Sequence, residues 1–362
     1  MVLFTATERY TLRQAGAKAP NDIYALCERR GWQEAIYPDV QQGNSKTPLW
    51  RIWRNLKVAI FWMGQAHGLK SGDVVFYQHP MRYGTKAATP FIKRMKKMGV
   101  HFLVLIHDLD SLRYSLVYAN NIKSNVNYED SGFLKLFDAV ICHNESMKAQ
   151  LVNQGIPEKK IICLELFDYL VSDDRELFAG RQDALIIAGN LDPKKCGYVY
   201  DLADVPLPCP VNLYGINFEP VSNKDTILRY QGSFEPSELP TVLEGKYGIV
   251  WDGSSADTCC GTAGEYLRWN NPHKLSLYLA AGIPVITWKE AAVAAFVEKN
   301  GIGITVESLN ELPERLKRVS EEQYAAMKSR AERFRPLLTA GFYFNQAADT
   351  ALKMFEEEEA EK

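Results

Sequence analysis

The chain contains 362 residues, enough for two domains that each bury a hydrophobic core. Lys and Arg total 42 against 44 Asp and Glu, which gives a net charge of −2 at pH 7. This balance excludes the strong positive field of a general nucleic-acid-binding protein, so we expect no nucleic-acid partner. Hydrophobic residues make up 46% and charged residues 24%, which excludes wholesale disorder and fibrous repeats.

Targeting signals and metal-binding spacings are absent from the sequence. No apolar run approaches the roughly 18 residues of a membrane span, and residues 1–10 lack the apolar segment of a signal peptide. The seven cysteines are an odd number without a CxxC pair, which favours free thiols in a reducing compartment. The six histidines show no zinc-ligand spacing. We therefore expect a cytoplasmic protein without a metal site.

The first half of the chain alternates short apolar runs with helical patterns, which is typical of βαβ units. Residues 2–6 are predicted as a strand, 14–22 as a loop, and 23–30 as a helix that Asn21 and Asp22 cap. Continuous apolar runs predict buried parallel strands at 73–78, 102–107 and 139–143.

A second series of apolar runs follows the polar stretch 172–182. Strands are predicted at 184–188, 211–214, 247–251 and 284–287, and helices at 312–333 and 344–358. We place the boundary near residue 175, which gives an N-terminal domain at 1–175 and a C-terminal domain at 176–362. The fold class is α/β, with two doubly wound units in series.

The most informative segment is 261–286, where a glycine-containing loop leads into Asn271, Pro272, His273 and Lys274 and then into an amphipathic helix. Pro272 suits a first helical turn because that turn needs no N–H there. Free N–H groups, the helix dipole and the Lys274 ammonium together predict a diphosphate site. The alternative is a capped helix that only packs on a sheet.

Five segments carry a resemblance to a known family: NNPHKLSLYLAAGIPVI (270–286), AGNLDPKK (188–195), AGAKAPND (15–22), IHDLDSLR (106–113) and HNESM (143–147). The chain resembles bacterial GT-B glycosyltransferases, the group of streptococcal adhesin glucosyltransferases and β-1,6-galactofuranosyltransferases. The resemblance implies two Rossmann-like domains facing across a cleft, with C-terminal helices that return to the N-terminal domain. It also implies a UDP-sugar donor and a glycan, lipid-linked or protein-linked sugar as acceptor.

Residue roles follow from the same resemblance. Lys274 would meet the donor diphosphate, with Asn271 and His273 at the same helix start. The remaining implied donor contacts are Gly189, Asn190, Lys194 and Tyr214, of which Tyr214 would stack on the uracil. Lys194 stands where related enzymes have an arginine, so it keeps the charge and loses the bidentate fork. Gly16 and Lys18 would lie in the acceptor-side cleft loop.

Inverting transfer needs a base that takes the proton of the acceptor hydroxyl. Asp108 follows the apolar strand FLVLI directly and is the favoured candidate, with Asp110 as a helix cap. His107 and His79, also at strand ends, are the alternatives. Asp108 and Asp110 also form a D-x-D pair, the spacing with which GT-A transferases hold a divalent cation. We favour a metal-free site with no cofactor, because a lysine and a helix dipole neutralise a leaving diphosphate themselves.

The segment 50–62 mixes three tryptophans with cations at helical spacing, and a second basic patch follows at 93–97. The first segment can lie on an anionic bilayer as a peripheral contact. It can also be a domain helix that packs its aromatic residues against the sheet, which is the favoured interpretation.

Together with these residues, the resemblance predicts an inverting hexosyltransferase that moves galactofuranose or glucose from a UDP-sugar in cell-surface glycan assembly. No G-x-G-x-x-G or G-x-x-x-x-G-K-[ST] motif occurs, which disfavours dinucleotide oxidoreductases and P-loop enzymes. A UDP-sugar epimerase of the same architecture and a non-catalytic partner subunit of a transferase remain alternatives. Homo-oligomers are compatible with all three.

Overall fold

The computed structural model describes residues 1–6, 15–36, 38, 47–80, 85–114, 130–171, 182–220 and 227–361. Strands and helices alternate through most of the chain, as the βαβ pattern predicts. Up to residue 163 they are β1 (Val2–Ala6), α1 (Ala15–Arg29), β2 (Gln33–Ile36), α2 (Pro48–Ala66), β3 (Val74–His79), α3 (Thr85–Lys96), β4 (His101–Ile106), α4 (Asp110–Arg113), α5 (Asp130–Leu134), β5 (Ala139–Cys142), α6 (Glu145–Asn153) and β6 (Ile161–Cys163).

A second set of elements begins at residue 185. Its members are β7 (Leu185–Asn190), α7 (Tyr198–Asp201), β8 (Val211–Ile216), β9 (Leu228–Gly232), α8 (Leu239–Val242), β10 (Tyr247–Val250), α9 (Gly261–Tyr266), α10 (His273–Ala280), β11 (Val285–Trp288), α11 (Ala294–Asn300) and β12 (Gly303–Val306). Four helices follow, namely α12 (Leu312–Lys317), α13 (Glu321–Glu332), α14 (Phe334–Ala340) and α15 (Phe342–Ala360).

The strands form two parallel six-stranded sheets, in the orders β2-β1-β3-β4-β5-β6 and β12-β11-β10-β7-β8-β9. The central strands β3, β4 and β5 are buried along their whole length, because helices cover both faces of a parallel sheet. The predicted α/β class with two doubly wound units is confirmed. Residues 172–181, which contain the predicted boundary at 175, lie outside the described residues.

The last helix returns to the first sheet. Asp168 accepts hydrogen bonds from the backbone N–H groups of Tyr343 (3.1 Å) and Phe344 (2.7 Å) at the start of α15. Farther along, Phe344 packs against Trp32 and Phe76, and Arg30 pairs with Asp349. The expected return of a C-terminal helix is confirmed. Helix α15 belongs to the second half of the chain, but it packs on the first sheet.

Several predicted boundaries differ from the structure. Helix α1 begins at Ala15 rather than Ile23, so the predicted loop 14–22 is mostly helical. Lys18 and Asp22, one turn apart, form a buried ion pair that stabilises this turn, and Asp22 therefore caps no helix. The long helix predicted at 312–333 is divided, because Ser320 caps the start of α13 with its side chain. The unpredicted strands β2, β9 and β12 are all sheet edges.

Among the helices within the described ranges, none has both the length and the apolarity needed to cross a bilayer.

Candidate active site

The carboxyl ends of the two sheets meet. Asn144, after β5, donates from Nδ2 to Oδ1 of Asn271, which precedes α10, at 2.7 Å. After β4, the Leu109 N–H donates to the Tyr266 hydroxyl of α9 at 2.8 Å. Ligands of open α/β sheets bind outside the carboxyl ends of the strands, so this meeting edge is the candidate active site.

Asn271 joins the two units. Its backbone N–H donates to Nδ1 of His143 at 2.8 Å, and its Nδ2 donates to the carbonyls of His143 (2.7 Å) and Glu165 (2.8 Å). With Oδ1 accepting from Asn144, the side-chain amide is occupied by the first unit. Glu165 has φ 68°, a left-handed conformation that costs a non-glycine residue energy, and this conformation accompanies its carbonyl bond to Asn271. The sequence assigned Asn271 to the donor, whereas the structure places it as a bridge between domains.

Three histidines surround Phe167 at this boundary. The ring centroids of His107, His143 and His273 lie 5.4, 4.9 and 6.1 Å from that of Phe167. Burial lowers the pKa of His107 and His273 to about 3 and that of His143 to about 4. All three rings are therefore neutral at neutral pH.

The hydrogen bonds define which nitrogen of these rings carries the proton. His107 Nε2 lies 2.5 Å from Oε1 of Gln78, an acceptor, so its proton is on Nε2 and its Nδ1 is the basic atom. His143 Nε2 faces the Ile106 carbonyl at 3.0 Å, and its Nδ1 accepts from Asn271. His273 stacks on Tyr169 at 4.9 Å and faces the Asp168 carbonyl, so its ring holds the domain boundary rather than entering an open pocket.

His79 lies beneath the cleft. It is 4% exposed, and its Nε2 lies 3.2 Å from Oδ1 of Asp130. The second oxygen of Asp130 accepts the Ser111 N–H at 2.8 Å. Burial alone would raise the pKa of Asp130, but the hydrogen bond from His79 and the backbone bond lower it below its usual range. The prediction that His79 lines the cleft is wrong in this structure, because the ring is covered and instead positions Asp130.

The structure also corrects the expected role of Asp110 as a helix cap. Helix α4 has Leu109 at its N-cap position and Asp110 as its first residue. The carboxylate that accepts a first-turn N–H is Asp130, from 20 residues farther along the chain. A tertiary cap of this kind leaves no local sequence signal.

Asp108 lies at the surface between the two units. Its side chain is 35% exposed, and Oδ2 accepts from Nη1 of Arg113 at 2.7 Å. The Arg113 guanidinium lies 6.0 Å from the ring centroid of Tyr266 in the second unit. Burial lowers the pKa of Arg113, but Asp108 and neighbouring groups raise it to a net value above the usual range. Asp108 is thus an accessible carboxylate, paired with Arg113, at the boundary between the two units.

Lys274 is held at the centre of the second sheet's carboxyl edge. Its Nζ donates to the Trp251 carbonyl and to Oδ1 of Asp252, both at 2.8 Å, and its side chain is 18% exposed. Burial would lower the pKa of Lys274, but Asp252 and neighbouring groups raise it well above the usual value. Helix α10 begins at His273, the residue before Lys274, because Pro272 is the N-cap residue rather than part of the first turn, and no side chain caps the helix. The ammonium and the helix start therefore share one position.

Glycines open the space beside this lysine. Gly189 is the penultimate residue of β7 and has φ 143°, and a Cβ built there would lie 3.5 Å from Cε of Lys274. Gly215, at the paired position of β8, has φ 147°, and its Cβ would lie 1.7 Å from the Gly189 carbonyl oxygen. Only glycine fits at 215, so the backbones of the two strand ends approach closely beside Lys274.

Asn190 is the last residue of β7, and Lys194 lies on the loop that follows. Oδ1 of Asn190 accepts from the Asp192 N–H (3.0 Å) and from Nδ2 of Asn217 (3.1 Å). The Lys194 N–H donates to Oδ1 of Asp192 at 2.9 Å, and the residue is exposed. These turns fix the loop at the same edge as Gly189, and the donor roles of both residues stay predictions.

Tyr214 does not have the placement expected for base stacking. It is 3% exposed, its ring packs against Phe234, and its hydroxyl accepts from the Glu244 N–H at 3.1 Å. The residue faces the core because neighbouring side chains of a strand alternate between sheet faces and both faces of this sheet are covered. An aromatic surface that the sequence did not indicate lies nearby, where Phe218 stacks on Tyr230 at 5.0 Å.

Lys18 is not in a cleft loop. It lies on α1, pairs with Asp22, donates to the Leu170 carbonyl at 2.5 Å and sits over the Tyr169 ring. Its fully buried environment lowers its pKa, while Asp22 raises it in part. The predicted loop placement of Lys18 is wrong, because the residue lies on α1 and pairs with Asp22 inside the protein, and its acceptor-side role stays a prediction. Gly16 is the second residue of α1, and its surroundings lie outside the described residues.

Sequence reasoning missed Asp252, Tyr266, Arg113 and Asp130. Asp252 directly follows the strand YGIV and Trp251, the same signal that singled out Asp108. The others follow no strand and depend on tertiary contacts. Within the described residues, no three His, Cys, Asp or Glu side chains gather into a metal-ligating cluster.

Comparison with known proteins assigns the family. Residues 1–166 match the model of the glucosyltransferase 3-like N-terminal domain, and residues 185–351 match that of the C-terminal domain. The chain belongs to the glucosyltransferase 3-like family. It is 32% identical to beta-1,6-galactofuranosyltransferase WbbI of Escherichia coli K12, over 95% of this chain and 96% of that protein. It is 28% identical to glucosyltransferase 3 of Streptococcus gordonii, over 90% of each chain.

Solved structures confirm the fold. Sucrose-phosphate synthase from Thermosynechococcus elongatus superposes with a TM-score of 0.64 at 12% identity, covering 100% of this chain and 99% of that one. The lipopolysaccharide glycosyltransferase WaaG gives 0.59 at 13% identity, covering 97% and 99%. Anabaena HepE in complex with UDP-glucose gives 0.53 at 12% identity, covering 100% and 99%. The protein is a glycosyltransferase of the GT-B type.

Proposed function

We propose that this protein transfers a hexose from a UDP-sugar to a hydroxyl group of a glycan, glycolipid or glycoprotein acceptor, with inversion at the anomeric carbon. Support for the hexose comes from the relatives, one named a galactofuranosyltransferase and one a glucosyltransferase. A structural neighbour that holds UDP-glucose supports the nucleotide. The observation that carries the proposal is the protonated Lys274 at the start of α10, beside the close approach of Gly189 and Gly215.

In this proposal the diphosphate takes the place of Asp252 as the main partner of Lys274. The ammonium and the N–H groups of the first turn of α10 neutralise the charge that develops as UDP leaves. Asp252 keeps the ammonium in place while the donor is absent. Lys194 adds a second cation from the loop after β7.

The acceptor reacts from the first unit. Asp108 takes the proton of the acceptor hydroxyl as that oxygen attacks the anomeric carbon. The bond from the anomeric carbon to the diphosphate breaks on the opposite side, and its electron pair leaves with UDP. One displacement of this kind inverts the anomeric centre. Buried contacts such as that between Leu109 and Tyr266 keep water, a competing acceptor, away from the donor.

We propose that the enzyme is metal-independent and has no cofactor, because Lys274 and its helix start supply the charge that a metal ion would otherwise provide. Activity that persists in excess EDTA would support this part of the proposal, and activity restored only by a divalent cation would contradict it. We also propose a cytoplasmic location, which the cysteine pattern of the sequence favours.

The decisive test combines calorimetry with a donor screen. UDP should bind the wild-type protein, and mass spectrometry should detect transfer from one of several UDP-hexoses to a simple glycoside acceptor. Lys274→Ala should weaken UDP binding by one to two orders of magnitude, since a charge-assisted hydrogen bond contributes about 1.5–3 kcal/mol. Lys317→Ala, which removes an exposed cation paired with Glu314, is the matched control and should bind UDP normally.

Three outcomes would contradict the proposal. Normal UDP binding by Lys274→Ala would remove the diphosphate site from α10. Isomerised UDP-sugar in the absence of acceptor would indicate an epimerase. A wild-type protein that binds no UDP would indicate a non-catalytic partner subunit.

A further inference from the structure

Helix α2 presents an apolar stripe to solvent. The stripe consists of residues that are each 50–79% exposed: Leu49, Ile52, Trp53, Leu56, Ile60 and Met63. With 3.6 residues per turn, they fall within an arc of about 100° along the whole helix. We call these six residues the α2 stripe.

The opposite face of the same helix packs on the first sheet. Val58 and Trp62 are fully buried, and Trp62 stacks on Tyr77 of β3 and Phe91 of α3. The sheet therefore already explains the buried tryptophan, as the favoured interpretation of the sequence expected. It does not explain the stripe, because a helix that only needs to cover a sheet has a polar outer face.

Positive charge surrounds the stripe. Helices α2 and α3, which pack side by side, contain seven Lys and Arg residues and no Asp or Glu, in a chain of net charge −2. Arg54 and Lys57 lie over the rings of Trp50 and Trp53, at 5.1 Å in each case. On α3, Lys93 and Arg94 are exposed. A long apolar stripe flanked by cations and aromatic rings is the composition of a helix that lies in a membrane interface.

We propose that the α2 stripe and the basic residues beside it seat the protein on an anionic lipid bilayer, with α2 parallel to the membrane plane. The apolar side chains enter the boundary between headgroups and acyl chains, and Lys93 and Arg94 contact anionic headgroups. A second copy of the chain is the weaker candidate for covering this face. A symmetric dimer through it would place the same cations against each other without a compensating acid on either helix. This inference goes beyond the proposed transfer reaction and does not depend on it.

Vesicle flotation tests the proposal with the full-length wild-type protein. Vesicles of phosphatidylcholine with 30% phosphatidylglycerol should carry the protein upward, and vesicles of phosphatidylcholine alone should carry about tenfold less. Binding to the anionic vesicles should weaken as salt rises, because the headgroup attraction is screened. Binding that is equal on both vesicle types, or absent from both, would overturn the proposal.

Two pairs of variants locate the contact. Ile52→Glu/Leu56→Glu should abolish flotation, whereas Val152→Glu, at an exposed apolar residue of α6 in the same unit, should leave it unchanged. Lys93→Ala/Arg94→Ala should reduce binding about tenfold or more, and Lys317→Ala/Lys353→Ala should not. Circular dichroism and thermal unfolding confirm that each variant is folded. Unchanged flotation of both α2 and α3 variants would contradict the proposal.

Light scattering decides between the two occupants. The proposal expects the same oligomeric state for the wild type and for Ile52→Glu/Leu56→Glu in the absence of lipid. A wild-type dimer that becomes a monomer in this variant would assign the stripe to a second copy and overturn the membrane assignment.

Discussion

The backbone N–H of Asn271 donates to Nδ1 of His143 at 2.8 Å, and in return the Asn271 side chain donates to the His143 carbonyl at 2.7 Å. This reciprocal pair connects Asn271, two residues before α10, with His143, the residue after β5. It places the start of the helix that carries Lys274 against the first unit. The position of the candidate diphosphate site therefore depends on a contact between domains.

Replacing Asn271 with Ala should destabilise the protein by about 2–4 kcal/mol, since three hydrogen bonds of a buried side-chain amide are lost. Urea unfolding measures the change. Asn310→Ala is the control, because that amide contacts only Asp257 on an exposed surface. Equal stability of the two variants would show that the bridge contributes little.

Asp108→Asn should lower the transfer rate by a factor of about 10² to 10⁴ and leave UDP affinity unchanged, because the amide accepts no proton. Initial rates and calorimetry provide the two measurements. Asp110→Asn, two residues away, should keep most of the activity. Should Asp108→Asn turn over normally, His107, whose Nδ1 is the basic atom of its ring, becomes the candidate base.

The buried carboxyl of Asp168 should make stability fall as pH rises from about 4 to 7. Burial raises its pKa to about 7, so the folded state holds a proton that the unfolded state has lost. Asp22, with a pKa of about 6, acts in the same direction. The neutral histidines act in the opposite direction, since their lowered pKa values remove stability as pH falls below about 6.5.

The variant Asp168→Asn isolates this contribution. The unfolding free energy of the wild type minus that of the variant should decrease by roughly 2–4 kcal/mol from pH 4 to pH 8. The histidine contributions cancel in this difference. A constant difference across this pH range for Asp168→Asn would refute the assignment.

Gly215→Ala should destabilise the protein by about 3 kcal/mol or more, because its Cβ would meet the Gly189 carbonyl oxygen and its φ is unfavourable for alanine. Gly31→Ala is the matched control, with φ 69° and no atom within 4 Å of the added Cβ, and should cost about 1 kcal/mol. Thermal unfolding compares the two variants. Similar losses would show that the close approach beside Lys274 tolerates a methyl group.

The buried parallel strands could be predicted because their apolar runs are continuous. The edge strands could not: β9 exposes Arg229, Tyr230 and Gln231 and pairs on one side only, so its sequence resembles a loop. The N-cap of α6 is equally local, because the Asn144 side chain accepts the Met147 N–H at 3.0 Å three residues farther along. Local patterns thus determine most elements of the fold.

Roles that depend on distant partners could not be predicted. Lysine is typical of exposed loops, so the sequence does not indicate that Lys18 is buried. Its contacts with the Leu170 carbonyl and with Asp22 show that the ammonium lies inside the protein. His79 ends strand β3, and His107 directly follows strand β4. The His79 side chain is covered, whereas His107 faces Gln78 at the boundary between the units. Position at a strand end identifies the edge of the sheet, and burial then decides which side chains remain accessible.

Helix α15 also constrains how the polypeptide can be divided. A fragment that stops after β6 would leave Trp32 and Phe76 facing water, and the complementary fragment would carry an unmatched apolar helix at its end. The two halves should therefore fail as independently expressed pieces unless residues 342–360 are grafted onto the first. Because α15 packs on the first sheet, the chain passes between the two units twice, once between β6 and β7 and once before α15.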